Sequence, residues 1–361
     1  MSNCISALFC KGKVYALLLI CTLLASLFAV SGAVAAEAKV RVLATTYPVY
    51  LITRAVTQNS PDVQVDLLIP AQTGCPHDYA LTPRDMQKLA KARIVVINGL
   101  GLEAFLEKPL AAAGNFTIVD SSKGVKAIVE DHDEDQHAAP GGAEAAHKDG
   151  HDHAAGATGH AVGHESGHES GHDHGHGAEH GTEHGHDHGG VNPHAFASPM
   201  QAAIMARNIG RGLAAAEPVA AKNCPEAAEA YAARLEAVGK RLAAVGANAA
   251  NKNVVALHDG MAYLVRDAGL NLVDVIQEDE EAQPSAARLL DLVKKIKVSK
   301  PVVLIGEPQY SEKPVRALSA ETGVPAVQLD SLASGLSNAP LDHYETVMTN
   351  NCVILEKYFA K

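Results

Sequence analysis

VVALHDGMAYLVRDAGLNLVDVI, residues 254–276, sets the fold class. Val254–Leu257 is an aliphatic run that reads as a short buried strand, Met261–Ala268 reads as a helix, and Leu272–Ile276 reads as a second strand. The alternation continues toward the C-terminus, with strands expected at Val302–Ile305 and Ala326–Leu329. Helices are expected there at Ser285–Ile296, Pro314–Glu321 and Tyr344–Ala360. Toward the N-terminus, strands are expected at Val40–Leu43, Val63–Ile69, Ile94–Ile97 and Thr117–Val119. Thr82-Pro83-Arg84-Asp85 opens a helix: Thr82 can cap it, Pro83 suits its first turn, and Asp85 puts negative charge at its start. Short strands alternating with helices build parallel sheets in an α/β fold.

Between the two series lie helices expected at Pro199–Ala214 and Pro225–Val245. The second carries Tyr231, Leu235, Val238, Leu242 and Val245 at three- and four-residue spacings. The expected architecture is therefore α/β, with two lobes, each a mainly parallel sheet flanked by helices, joined by one long rigid helix. The boundaries read as a first lobe over 37–224, a linker helix over 225–248 and a second lobe over 249–361.

Histidine is distributed very unevenly. Fifteen of the 19 histidines fall between His132 and His188, in repeats such as Gly163-His164-Glu165-Ser166-Gly167-His168-Glu169-Ser170. This tract, 131–190, has almost no apolar side chains with which to offset its ordering entropy, so it is expected to be a disordered insert in the first lobe. It also distorts the net charge of −11: it holds 13 acidic residues against Lys148, or −12, which leaves the rest of the chain near +1. No electrostatic case for nucleic acid or a membrane surface remains.

Lys11 and Lys13 precede an apolar run, Val14–Val30, followed by the small residues Ser31–Ala36. That is the pattern of a cleaved signal peptide over 1–36, so export to the periplasm is expected. The alternative, a membrane anchor, would have only 17 apolar-run residues with which to span. A lipid anchor is disfavoured because Ile20, not a small residue, precedes Cys21. Cys75, Cys224 and Cys352 would enter an oxidising compartment, where at least one of three stays unpaired within a monomer. Cys224–Cys352 is the disulfide favoured, provided that their Cα atoms come within bridging distance.

Outside the insert only His77, His194, His258 and His343 remain. His258 directly follows the strand Val254–Leu257, and Asp330 directly follows Ala326–Leu329. His77 lies in the loop after Val63–Ile69, and His194 sits in Asn192-Pro193-His194 just before a helix. A lone loop histidine is ordinarily solvated or hydrogen-bonded. Here, however, scarcity coincides with the strand-end positions at which open α/β sheets bind ligands. Three imidazoles and one carboxylate would make a shell suited to zinc. His343 follows Pro340-Leu341-Asp342 with no strand end before it and reads as a surface residue.

Six blocks in order now resemble one family. They are Thr73-Gly74-Cys75-Pro76-His77-Asp78-Tyr79 with Pro83 and Asp85, Asn98-Gly99-Leu100-Gly101-Leu102-Glu103-Ala104-Phe105-Leu106, Asn192-Pro193-His194, Leu257-His258-Asp259, Gly306-Glu307-Pro308-Gln309-Tyr310 and Leu329-Asp330-Ser331-Leu332. Together they resemble the metal-binding (cluster A-I, ZnuA/TroA-like) solute-binding proteins of ABC transporters. The resemblance implies metal between the lobes, with His77 and His194 from the first lobe and His258 and Asp330 from the second. It implies a membrane permease as partner, a monomer and no catalysis. Manganese-binding relatives tend to have a glutamate where His258 stands, so Zn²⁺ is favoured as the transported ligand. Asn192 departs from the usual aspartate of Asp-Pro-His-Trp: it can still hold His194 but brings no charge to raise its basicity. Pro76 occupies the place where some relatives carry an acidic ligand. The family offers no support for the Cys224–Cys352 pairing. It does commonly carry a His-rich loop in the place of 131–190, which is expected to collect or sense Zn²⁺ weakly.

Three other readings remain. Manganese or iron(II) could occupy the same fold, which metal competition separates. A periplasmic zinc hydrolase would use three histidines and a water, but the sequence has no His-Glu-x-x-His and only Glu280 or Glu281 as a base. A periplasmic zinc buffer would rest on the insert alone and would not be needed for uptake.

Overall fold

Val42, Leu43 and Ala44 of strand β1 (Val40–Ala44) are all buried, although successive strand side chains point to opposite faces. β1 is therefore covered on both sides, as an inner strand of a parallel sheet must be. The computed structural model describes residues 39–74, 79–113, 116–129, 190–277 and 283–359. Within it β1 pairs in parallel with β2 (Val63–Leu67) and β3 (Ile94–Ile97), and β3 with β4 (Thr117–Asp120). The order is β2-β1-β3-β4. Two short strands follow, β5 (Ile128–Val129) and β6 (Val191–Asn192).

The second sheet comprises β7 (Asn253–Ala256), β8 (Asn271–Val275), β9 (Val303–Gly306) and β10 (Ala326–Gln328), again all parallel. Its order, β10-β9-β7-β8, read from the other edge is β8-β7-β9-β10, which repeats the first sheet. In each sheet the chain steps outward from its first strand and then crosses back. The strand order thus reverses between β1 and β3, and again between β7 and β9. Such switch points leave a crevice at the carboxyl ends of the strands.

The helices are α1 (Tyr47–Thr57), α2 (Pro83–Lys91), α3 (Glu107–Ala113), α4 (Pro199–Ala216), α5 (Cys224–Asn248), α6 (Ala262–Asp267), α7 (Ala286–Ser299), α8 (Lys313–Thr322) and α9 (His343–Phe359). One face of each sheet, Val42, Ala44, Ile94 and Val96 in the first and Val254, Ala256, Val303 and Ile305 in the second, belongs to a single apolar core. Met205 and Ile209 of α4, Tyr231 and Leu235 of α5, and Met348 and Leu355 of α9 complete it. The opposite faces have cores of their own. Leu43 and Val95 pack with Leu89 of α2, and Val255, Leu257 and Leu304 pack with Leu292 of α7 and Leu318 of α8.

The expected α/β architecture stands, with corrections at the edges. The Thr82 side chain accepts from Asp85 N–H and Asp85 returns a bond to the Thr82 backbone, so the helix start read from the sequence is a full capping box. β2 stops at Leu67, although Leu68 and Ile69 still donate to Ala44 and Thr45. Helices α1 and α3 and the strands β5 and β6 are additional to those expected. The linker helix α5 runs over 25 residues, on the order of 38 Å. Arg234–Glu345 and Arg241–Glu356 ion pairs tie it to α9.

The Cys224–Cys352 disulfide is not formed: both thiols are free and buried. Cys224 Sγ lies 3.3 Å from Ser60 Oγ, whereas Cys352 Sγ lies 3.9 Å from the Val238 carbonyl. Val238 is on the order of 20 Å along α5 from Cys224, far beyond bridging distance. Burial pushes the Cys224 thiol pKa up and the Cys352 thiol to about 11, which leaves both unreactive at neutral pH. Cys75, the segment 1–36, Glu280, Glu281 and all but the last residue of the insert 131–190 lie outside the described residues. Among the described residues no helix is long and apolar enough to cross a membrane.

Gly246 shows how closely α5 meets the second sheet's connections. A Cβ there would collide with the carbonyl oxygens of Ala268 and Gly269, which are backbone and cannot rotate away. Gly246→Ala gains about 1 kcal/mol of helix propensity but costs on the order of 2–4 kcal/mol in overpacking. The expected net loss of about 1–3 kcal/mol would appear as a lowered urea midpoint with an unchanged slope.

Candidate metal centre

His258 extends the line of β7 by two residues, and its extended backbone caps the turn Asp259–Met261. Gly260 N–H donates to His258 Nδ1 at 2.9 Å. The turn is tight here: a Cβ on Gly260 would lie 3.1 Å from His258 Nδ1 and 3.7 Å from the His194 ring, so it would press on the His258 ring. His194 enters from β6 through Pro193. Asn192 Oδ1 accepts from its backbone N–H at 2.9 Å and lies 3.0 Å from its Nδ1. With the proton on Nδ1, the ring offers Nε2 for coordination.

The two imidazoles are buried, with centroids 5.5 Å apart and planes at 89°. Phe196 lies edge-on to His194 at 5.8 Å, and the Tyr310 ring lies 5.9 Å from His258. Asp259 adds a carboxylate: its Oδ1 is 2.9 Å from His258 Nε2 and 4.0 Å from His194 Nδ1. Asn192 Nδ2 donates to the other oxygen, Oδ2, at 3.0 Å, and Tyr263 OH donates to the Asn192 carbonyl at 2.6 Å. One ligand atom from each of His194, His258 and Asp259 falls within 4.8 Å of the others. Zinc–nitrogen bonds of ~2.0–2.1 Å set tetrahedral edges of roughly 3.3 Å, so around an ion the closest pair would part and the wider ones would draw in.

The first sheet braces His194 from behind. At the β1/β3 switch point the buried Glu103 carboxylate accepts from Thr45 Oγ1 at 2.6 Å, Asn98 N–H at 2.6 Å and Gly99 N–H at 3.1 Å. Asn98 Nδ2 in turn donates to the carbonyl of Pro193, the residue before His194, at 2.9 Å. Gly99 has φ +82°, and a Cβ there would run into Asp120 and Ser122. Burial pushes Glu103 up to about 7, against the pull of its three donors.

The four residues expected at the site are thus placed unequally. His194 and His258 come together. His77 lies outside the described residues. Asp330 lies beyond β10 and is not part of the His194–His258–Asp259 group; its Oδ1 accepts from Gln309 Nε2 at 2.5 Å and Leu332 N–H at 2.8 Å. His343 is the first residue of α9. Asp259 went unread, although Leu257-His258-Asp259 put a carboxylate beside a strand-end histidine.

Asn192 has a consequence that an aspartate would not share. Asn192→Asp replaces the bond to Asp259 by two carboxylates about 3 Å apart, which raises the pKa of one of them. The metal-free protein is expected to lose about 1–2 kcal/mol at pH 7 and to recover most of it near pH 4, by thermal unfolding in chelator. An unchanged stability at pH 7 would rule out the bridge.

Two parallel sheets of like strand order, with metal-competent side chains at a strand-end crevice, define an α/β binding protein. Residues 42–358 match the family model described as zinc-uptake complex component A, periplasmic, and the chain belongs to that family. The high-affinity zinc uptake system protein ZnuA of Haemophilus ducreyi is 34% identical over 295 residues, covering 81% of this chain and 85% of that protein. The zinc-binding protein AdcA of Streptococcus pyogenes serotype M3 is 28% identical over 327 residues, covering 88% of this chain but 56% of AdcA. The chain therefore spans little more than half the length of that relative. Among solved structures, the solute-binding protein FpvC of Pseudomonas aeruginosa, in complex with Mn²⁺, shares the fold. It has a TM-score of 0.65 at 22% identity, over 89% of this chain and 98% of FpvC.

Proposed function

We propose that this chain is the periplasmic capture component of a zinc ABC importer, taking Zn²⁺ into the cleft between its two lobes and passing it to the membrane permease. The observation that carries this reading is the buried, mutually perpendicular pair His194 and His258, reached from the carboxyl ends of two different parts of the fold. His77 supplies the third imidazole in this reading, and the sequence places the oxygen ligand at Asp330. The lobes are 37–224 and 249–361, with 225–248 as the spine, and 1–36 is removed on export. The protein acts as a monomer and binds without catalysing.

Support comes from the family's description and from ligand chemistry. AdcA and ZnuA are named for zinc, whereas FpvC binds Mn²⁺ on the same fold, so the donor set must discriminate. Imidazole-rich sites suit zinc, while manganese prefers more oxygen. Competition between Zn²⁺ and Mn²⁺ against a chelating indicator tests this on the mature protein and on a version lacking 131–190. One tight site that prefers zinc and survives the deletion is the expected result. Preference for manganese, or loss of the tight site with the insert, would overturn it.

A further inference from the structure

Two imidazoles that come from distant parts of the chain are spaced only as well as the contact between their supporting segments. We infer that Tyr263 is the positioning residue that makes this contact. Its hydroxyl, carried on the helix that follows His258, fixes the backbone that leads into His194 and so sets the spacing of the two rings for zinc. This rests on the zinc-capture reading of the same site.

Tyr263 moves with His258. The turn Asp259–Met261, capped by His258, runs without a break into α6, and Tyr263 is the second residue of that helix. Its side chain is fully buried, so the ring has no room to swing aside. The hydroxyl leaves the second sheet's connection and meets the ribbon of β5 and β6, which pair with each other. It donates to the Asn192 carbonyl of β6 at 2.6 Å and accepts from Ile128 N–H of β5 at 3.1 Å. A hydroxyl can do both at once. Arg266, one turn on, stacks its guanidinium over the Tyr263 ring at 4.8 Å and donates to the Lys126 carbonyl at 2.6 Å. Lys126 N–H in turn donates to Gln201 Oε1 of α4 at 3.1 Å, which keeps the approach to β5 in place.

The consequence falls on His194. Pro193, between Asn192 and His194, fixes one backbone angle by its ring. The carbonyls on either side of that proline's nitrogen and carbon are both held, Asn192's by Tyr263 and Pro193's by Asn98 at 2.9 Å. Asn98 stands at the end of β3, so it ties His194 to the first sheet. Tyr263 ties the same short segment to the helix that His258 leads into. Its bond is shorter and more deeply buried than those of the Asn192 side chain to Asp259, at 3.0 and 3.2 Å. Asp259 is also one-third exposed, so water competes there, whereas a buried bond keeps its full strength. Without the hydroxyl, β6 and the His194 ring would be free to drift from His258, and the ion would have to order them.

The test compares Tyr263→Phe with Ile296→Val in the mature protein, with His258→Ala as control. Tyr263→Phe keeps the ring and its packing and removes the bridging oxygen. Ile296→Val lightens the core on the opposite face of the second sheet and serves as a variant destabilised for another reason. Zinc affinity of the tight site is read by chelator competition, ligand geometry by the visible spectrum with one equivalent of Co²⁺, and stability by thermal unfolding in chelator. Both variants are expected to melt a few degrees lower. Tyr263→Phe should in addition weaken zinc by about 10-fold and alter the Co²⁺ spectrum, as loss of a group that aligns a ligand does. Ile296→Val should keep affinity within about 2-fold and leave the spectrum unchanged. Wild-type affinity and spectrum in Tyr263→Phe, or an equal loss in both variants, overturns the positioning role while leaving zinc capture intact. Undiminished affinity in His258→Ala would instead overturn zinc capture itself.

Discussion

Replacing His258 by alanine is expected to weaken zinc binding by roughly 10²- to 10³-fold, while His343→Ala leaves it unchanged within about 2-fold. Closed zinc sites contribute on the order of 10–16 kcal/mol, so one of four ligands carries about 3–4 kcal/mol, and each 1.4 kcal/mol is tenfold. The same substitution removes the acceptor for the buried Gly260 N–H, which should cost about 1–3 kcal/mol of stability. The two effects separate experimentally: a lowered melting temperature of a few degrees without metal, and a near-complete loss of the zinc-induced rise with it. His343 begins α9 away from the paired rings, so its removal touches neither quantity. Zinc affinity that survived His258→Ala would put the tight site away from this pair and favour the reading of the protein as a zinc buffer.

What the sequence disclosed follows from which interactions are local. Ile94–Ile97 matched its strand because four aliphatic residues in a row, ended by Asn98-Gly99, have few alternatives to a buried parallel strand. His194 and His258 were legible because a strand end is itself a location in an α/β sheet. Helix α1 was not, since Tyr47-Pro48-Val49-Tyr50-Leu51-Ile52-Thr53 is aromatic and β-branched and has no side-chain cap. It is helical because the sheet beside it must be covered, so tertiary burial overrides propensity. The disulfide failed for a related reason: a cysteine count carries no information about which faces of α5 and α9 meet. Asp259 needed a partner 67 residues away, Asn192, to acquire its direction. No local pattern contains that bond.

Glu103 should give the protein a large pH-dependent change in stability. Its carboxyl titrates at about 7 in the fold against an ordinary value of 4.5, chiefly because it is buried, with Asp120 adding repulsion. Between those two values the folded chain holds a proton that the unfolded chain has released. Lowering the pH from 7 toward 4.5 therefore stabilises the protein, and raising it through 7 destabilises it, by about 3 kcal/mol in all at ~1.36 kcal/mol per unit. Glu103→Gln should abolish this dependence, since the amide does not titrate. It should also lose about 1 kcal/mol at low pH, because its NH₂ cannot accept from Gly99 N–H as Oε2 does. Urea unfolding of both proteins in chelator should then show wild type the more stable at about pH 4.5 and the advantage reversed at about pH 8.5. All other groups are common to both proteins, so the difference between them isolates Glu103. A difference that did not vary with pH would mean that the carboxylate stays ionised throughout, held by Thr45, Asn98 and Gly99. Glu103→Ala goes further, since it also frees Asn98, whose amide holds the Pro193 carbonyl, and through that carbonyl it should loosen His194 and weaken zinc. A buried acid in the first sheet thereby governs a proposed metal ligand that it never touches.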